Sequence, residues 1–360
     1  VSNDSNSVVI IGAGIIGTVA AFRLAKSGYR VVVLDPTPGR GATFAAAGML
    51  APRAEITPGE LSNFMLQLRA VQAWRELSES VSAVTGSNIA IHQTGTLLVG
   101  WDQSDRRQVS QFAEVATSFG YAPSAVGRSD SASMFHGVSQ RIGSGLYLDD
   151  DAWVNPDEAM SALRGANEQL GVTYFNEKCD HLSETGAGVE VFFASSHSHF
   201  DAALVATGHS SLLDGVEIAE ANDIRPVRGF TIRVSGVDRS FAPTLRAVVR
   251  GRNFYLVSRP GGYCVLGASV EEKSAPVIEI GEMQRLLRDA LEVVPDLETA
   301  TFLDARSGLR PSSRDGEPFF RLSSGGRVAW ASGHYRHGVT LAPVVANDVL
   351  EFVEGVSSDC

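Results

Sequence analysis

The stretch Val8-Val9-Ile10-Ile11-Gly12-Ala13-Gly14-Ile15-Ile16-Gly17 constrains this chain more than any other. Four β-branched residues form a short apolar run, then comes G-x-G-x-x-G, then a helical pattern from Thr18 to Lys26. A second apolar run, Val31-Val32-Val33-Leu34, ends at Asp35. The order is strand, tight turn, helix, strand and acid within about 30 residues, which is the context a dinucleotide fingerprint requires. Gly12 permits the tight turn. Gly14 lets a pyrophosphate approach the backbone at a helix N-terminus, where free N–H groups and the helix dipole favour anions. Gly17 lets the helix pack closely on the strand. Asp35 lies 18 residues beyond Gly17 and can accept hydrogen bonds from a ribose.

With 360 residues the chain can bury a large core and is expected to form two domains. Its formal net charge of −11 argues against a partner held through nucleic-acid phosphates. No apolar run is long enough to span a membrane, and the first residues, Val1 to Ser7, read as a polar frayed terminus rather than a signal peptide. Cys179, Cys264 and Cys360 are odd in number and widely spaced, so they suggest neither a disulfide framework nor a metal site. A cytoplasmic location is the expectation.

Further along, Ala42 to Pro52 is small and nearly uncharged, suiting backbone that runs close against a flat ligand. Thr57 as N-cap and Pro58 at the first helical position predict a helix to about Ser82, with Leu61, Phe64, Met65, Leu68, Val71 and Trp74 as its apolar stripe. Strands are expected over 89–99, 146–148, 172–175, 188–193, 200–205, 230–234, 245–249, 254–257, 263–268 and 328–331. Helices are expected over about 105–119, from Asn155-Pro156 to Gly171, over 279–293, and from the 332–338 turn to near Val353. The fold class is α/β, α+β overall. Residues 1–85, 151–218 and 306–360 are assigned to a nucleotide-binding domain, and 86–150 and 219–305 to a substrate domain built on a large antiparallel sheet.

One G-x-G-x-x-G favours a single redox cofactor. Arg310, between Gly308-Leu309 and Pro311, and Arg336, in the glycine-bounded 334–338 turn, are candidates for clamping a carboxylate with parallel hydrogen bonds. Tyr255 can add a hydroxyl donor. His197 and His199 lack a third metal ligand, and Asp149-Asp150-Asp151 lacks the glycine and distal glutamate of a calcium loop, so a solvated turn is expected there.

Together these residues resemble the FAD-dependent D-amino-acid oxidase superfamily, and within it the glycine oxidases of bacterial thiamine biosynthesis. The carrying segments are Ile10–Gly17 with Asp35, Ala45 to Leu50, Arg225-Pro226-Val227-Arg228-Gly229, Asn253 to Gly267, Gly308 to Gly316, and Gly333 to Pro343. The resemblance implies a Rossmann-like FAD domain. It places Ile15, Ile16, Asp35, Pro36, Ala42, Thr43, Ala47, Gly48 and Met49 along the FAD, with Gly12, Gly14, Gly17, Thr207 and Gly208 counted at the cofactor too. Backbone near Cys179 would meet the adenine, and His334, Tyr335, Arg336, His337, Gly338, Val339 and Thr340 would wrap the flavin ring. Arg310 would hold the substrate carboxylate, helped by Tyr255 and Arg336, with Met49 nearby. Asn253 stands where relatives often carry a second polar ring residue. No cysteine lies near Arg310, so FAD is expected to be non-covalent.

The implied reaction is oxidative deamination of glycine, sarcosine or a small D-amino acid. Hydride passes from Cα to flavin N5, the imino acid hydrolyses to glyoxylate and ammonia, and dioxygen reoxidises the flavin to give hydrogen peroxide. The resemblance also implies a hand-off to a thiazole synthase and a homo-oligomer. Alternatives left open are a D-amino-acid, sarcosine or proline dehydrogenase using another electron acceptor, the FAD module of a tRNA-modifying enzyme, and a flavin-binding partner without turnover.

Overall fold

The computed structural model describes residues 6–194, 196–210, 223–236 and 242–358. The expected frayed residues 1–5, Cys360 and the 218/219 boundary therefore lie outside the described residues. The fingerprint strand Ser7–Ile11 sits near the middle of a six-stranded sheet, between Ala202–Val205 and Arg30–Leu34. Thr173–Phe175 closes one edge, and Val328–Ser332 with the antiparallel Phe319–Leu322 closes the other. The strands of this sheet's centre are apolar without alternation because both faces are covered. Val8, Ile10, Val31, Val33, Ala202 and Leu204 face the helices Ile15–Lys26, Leu61–Thr85, Pro156–Gln169 and Gly338–Ser358. Their neighbours Val9, Ile11, Val32, Leu34, Ala203 and Val205 pack instead with a three-stranded sheet made by Cys179–Thr185, Gly188–Phe193 and Ser196–Phe200. Period-two side-chain geometry thus sends one strand's residues into two cores.

The second large sheet has eight strands, in the order Thr301–Ser312, Arg225–Ser235, Tyr263–Gly267, Arg252–Arg259, Thr244–Val249, Thr96–Gly100, Ser144–Leu148 and Ser124–Gly127. All pairs are antiparallel except Thr244–Val249 with Thr96–Gly100. Helix Ile280–Val293 buries Leu286, Ala290 and Val293 in the core shared with Phe230, Ile232, Phe254 and Leu256.

Several expectations need correction. The helix expected from Thr57 begins at Leu61, after Glu60. Gly59 has φ +84°, which breaks the helical path, and Glu60 N–H closes a turn on Thr57 O at 3.2 Å. Leu61 and Met65 of its presumed stripe are about half exposed, while Phe64, Val71 and Trp74 are buried. The run 89–99 splits into Ile91–His92 and Thr96–Gly100 around Gly95. The strands Cys179–Thr185 and Ser196–Phe200 are polar and half exposed, so they carry little apolar signal. Thr301–Ser312 is a 12-residue strand despite Gly308 and Pro311. The last helix runs on to Ser358. Pro343 inside it provides no N–H for the Val339 carbonyl, which accepts the Trp74 indole N–H instead at 2.9 Å. Asp151, expected in a solvated turn, is buried and accepts the Arg53 and Ala54 N–H groups at 3.1 and 3.2 Å.

Candidate active site

Both large sheets reach one cavity of about 490 Å³. Ile11 and Ala331 reach it from the first sheet, and Gly229, Tyr255 and Arg310 from the second. The fingerprint forms one end. Gly12, at φ +109°, lies so close to the next strand that a Cβ would sit 2.4 Å from Ala206 O. Helix Ile15–Lys26 starts just beyond Gly14. Ile15 N–H is taken by Thr43 Oγ1 at 3.0 Å, whereas Gly14 and Ile16 N–H have no partner among the described residues. Two free donors at a helix N-terminus fit a pyrophosphate. Asp35 also lines the cavity, and its carboxylate already accepts Ala13 N–H and Thr37 N–H, each at 2.7 Å. It therefore ties the fingerprint turn to the following loop, with lone pairs left over for ribose hydroxyls. The buried Thr207 Oγ1 on the same wall has no partner among the described residues, a further polar contact open to a cofactor.

Of the residues expected at the cofactor, Gly12, Gly14, Ile15, Ile16, Asp35, Pro36, Ala42, Thr43, Ala47, Gly48, Met49, Cys179, Thr207, Gly208 and 334–340 all line the cavity. Gly17 does not. It lies against the fingerprint turn, where a Cβ would meet Gly12 O at 1.9 Å, so its part is helix packing. Cys179 is buried, and burial pushes its thiol up to about 11, which leaves it a thiol rather than a nucleophilic thiolate. The 334–338 turn is stitched to the second sheet through Tyr335 N–H to Pro311 O at 2.8 Å. Thr340 Oγ1 donates to Met49 O at 3.2 Å, joining the last helix to the small-residue loop.

The other end of the cavity is cationic. Arg310 lies near the end of strand Thr301–Ser312, and its Nη1 donates to Ser269 O at 3.1 Å and Arg228 O at 3.4 Å. It has no acidic partner among the described residues. The guanidinium rests on Gly229 and the Tyr255 ring on Gly267; a Cβ on either glycine would meet it at 2.1 and 2.2 Å. Burial raises the Tyr255 pKa against the opposing charge of Arg310, so the phenol remains a donor.

Arg336 is placed differently from a second free clamp. Its Nε lies 2.8 Å from Glu55 Oε2, in ion-pair range but without hydrogen-bond alignment. Glu55 also takes Arg246 Nη1 at 2.6 Å, and Arg246 stands directly opposite Tyr255 in the sheet. Burial raises the Glu55 pKa, but the charges of Arg246 and Arg336 and the Arg246 hydrogen bond outweigh it and bring the carboxyl down to about 2. Burial pushes His334 and His337 down to about 4, so both are neutral near pH 7. A smaller cavity of about 250 Å³ shares Glu55, Arg246, Asn253 and Arg336 with the main one. Glu55 and Arg246 escaped the sequence reading because a loop and a strand 191 residues apart supply them. Among the described residues no three His, Cys, Asp or Glu side chains gather as a metal site, and no helix is long and apolar enough to cross a membrane.

Residues 7–351 match the family model described as FAD dependent oxidoreductase, DAO. The chain belongs to this family of FAD dependent oxidoreductases. It is similar to glycine oxidase of Bacillus licheniformis, at 29% identity over 96% of this chain and 92% of that protein. It is also similar to the bifunctional protein ThiO/ThiG of Trichormus variabilis, at 27% identity over 99% of this chain and 54% of that protein. Among solved structures, the crystal structure of glycine oxidase from Geobacillus kaustophilus superposes with TM-score 0.87 at 23% identity, covering 98% of this chain and 95% of that one. Membership of this family makes the chain an FAD-dependent oxidoreductase, with FAD as its cofactor.

Proposed function

We propose that this enzyme oxidises glycine, with sarcosine and small D-amino acids as further substrates, to an imine that hydrolyses to the oxo acid and ammonia, or methylamine where sarcosine is the substrate. One observation carries the reading: Arg310 offers a guanidinium with no acidic partner among the described residues, near Tyr255 in the cavity that the fingerprint also lines. The bound flavin supplies the hydride acceptor and, with dioxygen, yields hydrogen peroxide. The protein's part is to bind and orient. Arg310 takes the substrate carboxylate through parallel hydrogen bonds, and the protonated Tyr255 donates a further one. Neutral His334 and His337 add no positive charge beside the amine. Glu55 holds two guanidiniums, which leaves Arg310 free for the carboxylate. A hydride transfer needs no side-chain base at Cα, and fixing the reacting carbon supplies much of the acceleration.

A thiamine role is supported by the ThiO/ThiG relative, of which this chain spans about half the length. In that role the imine would pass to a thiazole synthase. The test is a peroxide assay with glycine, sarcosine and small D-amino acids, together with anaerobic bleaching of the yellow protein. Peroxide from glycine supports the reading. Bleaching without peroxide points to a dehydrogenase, and no bleaching by any amino acid refutes the proposal.

A further inference from the structure

The Arg225-Pro226-Val227-Arg228-Gly229 segment holds a buried cation that the reaction does not touch. Arg228 is fully buried on strand Arg225–Ser235. Its guanidinium pairs with Glu271 and, at 2.7 Å, with Glu282 of helix Ile280–Val293, while Glu279 lies 3.6 Å away. Lys273 stands on the same acids, 2.5 Å from Glu279 and 3.5 Å from both Glu271 and Glu282. Arg228 and Lys273 therefore share three carboxylates, and most of their links converge on the chain just beyond strand Tyr263–Gly267.

The backbone repeats the attachment. Arg228 N–H donates to Glu271 O at 2.7 Å, and Glu271 N–H returns to Arg228 O at 3.1 Å. Phe230 N–H donates to Ser269 Oγ at 3.2 Å. Around these attachments the chain passes along the cavity, where Ala268 and Val270 line the wall. The two acceptors that orient Arg310 are both products of this arrangement: Ser269 O belongs to the pinned segment, and Arg228 O belongs to the residue that pins it.

We propose that Arg228, through Glu271 and Glu282, is a positioning residue for the carboxylate clamp: it fixes the 268–271 segment so that two carbonyls aim the Arg310 guanidinium at the substrate. This rests on the reading of Arg310 given above. The logic is geometric. A guanidinium holds a carboxylate well only when its planar fork is preset, because a freely turning arginine loses rotamer entropy on binding. Arg310 has no carboxylate among the described residues to preset it, so the carbonyls do so.

Glu271→Ala removes the side-chain tie and loosens the segment, while the backbone pair between residues 228 and 271 and the Arg228–Glu282 pair remain, so the fold and the FAD site are kept. Purified holoenzyme is titrated with glycolate, glycine with a hydroxyl in place of the amine, by the change in flavin absorbance, and glycine turnover is measured alongside. The expected result is a roughly 10-fold weaker glycolate Kd and a similar rise in glycine KM, with kcat and FAD content little changed. A double-mutant cycle separates aiming from general loosening. In an Arg310→Lys background, Glu271→Ala should add almost nothing, since the fork it aims is gone. Arg228→Lys, which keeps a cation but a shorter and less branched one, should lie between wild type and Glu271→Ala. An unchanged glycolate Kd in Glu271→Ala, an equal loss in the Arg310→Lys background, or a loss matched by FAD content would each overturn the proposal. Wild-type protein that neither binds glycolate nor oxidises glycine would instead sink the reading of Arg310 itself.

Discussion

At the scale of single residues, the proposed carboxylate clamp rests on Arg310 and the glycine beneath it. Arg310→Ala would leave a substrate carboxylate unpaired in a partly desolvated cavity, and removing one partner of a buried charge pair costs about 3–5 kcal/mol. The expected outcome is a fall in kcat/KM for glycine of roughly 10²- to 10³-fold or more, with FAD still bound. Oxidation of a small amine lacking a carboxylate should be about equally poor in both proteins, which steady-state assays would show. Gly229→Ala tests the same feature from below. Its Cβ would meet only the end of the Arg310 side chain, which can swing away. Thermal stability should therefore change little while glycine KM rises, and an unchanged KM would show that the guanidinium rests elsewhere in solution. Asp35 stood out through the fingerprint and Arg310 through its rigid Gly308 and Pro311 flanks, whereas Tyr255 was singled out chiefly by the family resemblance. The ion pair of Glu55 with Arg246 was not, since no local pattern announces a contact made only by tertiary folding.

Among the elements, the turn that opens the last helix carries the most information. Tyr335 has φ +46°, a costly conformation for a residue with a side chain, and bonds to Pro311 O and Met49 O tie that turn and the helix start to the second sheet and the small-residue loop. The sequence showed the turn through its bounding glycines, and it showed the fingerprint strand, helix and strand through their uninterrupted apolar pattern. It misplaced the start at Thr57 because serviceable capping chemistry there is cancelled by Gly59 one step later. The same turn predicts a pH dependence. His334 and His337 are held neutral, with pKa values of about 4 against 6.5 for the free side chain, so unfolded chains bind more protons in that window. The histidines' contribution to stability is full above about pH 6.5 and falls as the pH drops toward 4, by up to about 1.4 kcal/mol per histidine per pH unit. Chemical denaturation at pH 7 and pH 5 should show this, with the loss reduced in His334→Gln if the histidine is responsible.

On the scale of the whole molecule, one cavity joins the two sheets, so its occupant links them. Added FAD at about a hundred times its Kd should stabilise the protein by about 2.7 kcal/mol, read as a rise in Tm with FAD concentration. Asp35→Ala should need more FAD for the same rise, because it removes both a ribose acceptor and the tie between Ala13 and Thr37. The strand order has a separate consequence, for synthesis. Ser7–Ile11 leaves the ribosome early, yet one of its neighbours is Ala202–Val205, and that strand in turn needs Val328–Ser332. At about 5–20 residues per second, the interval between the first pair of strands and the third is on the order of ten to thirty seconds. Throughout it the nascent chain carries an apolar strand with an open edge, the kind of surface that recruits foreign strands. The histidine turn and the last helix, which complete the cavity, emerge later still. Cofactor loading therefore waits for residues 334–340, and the yield of holoenzyme in a cell depends on what shields that edge until they are made.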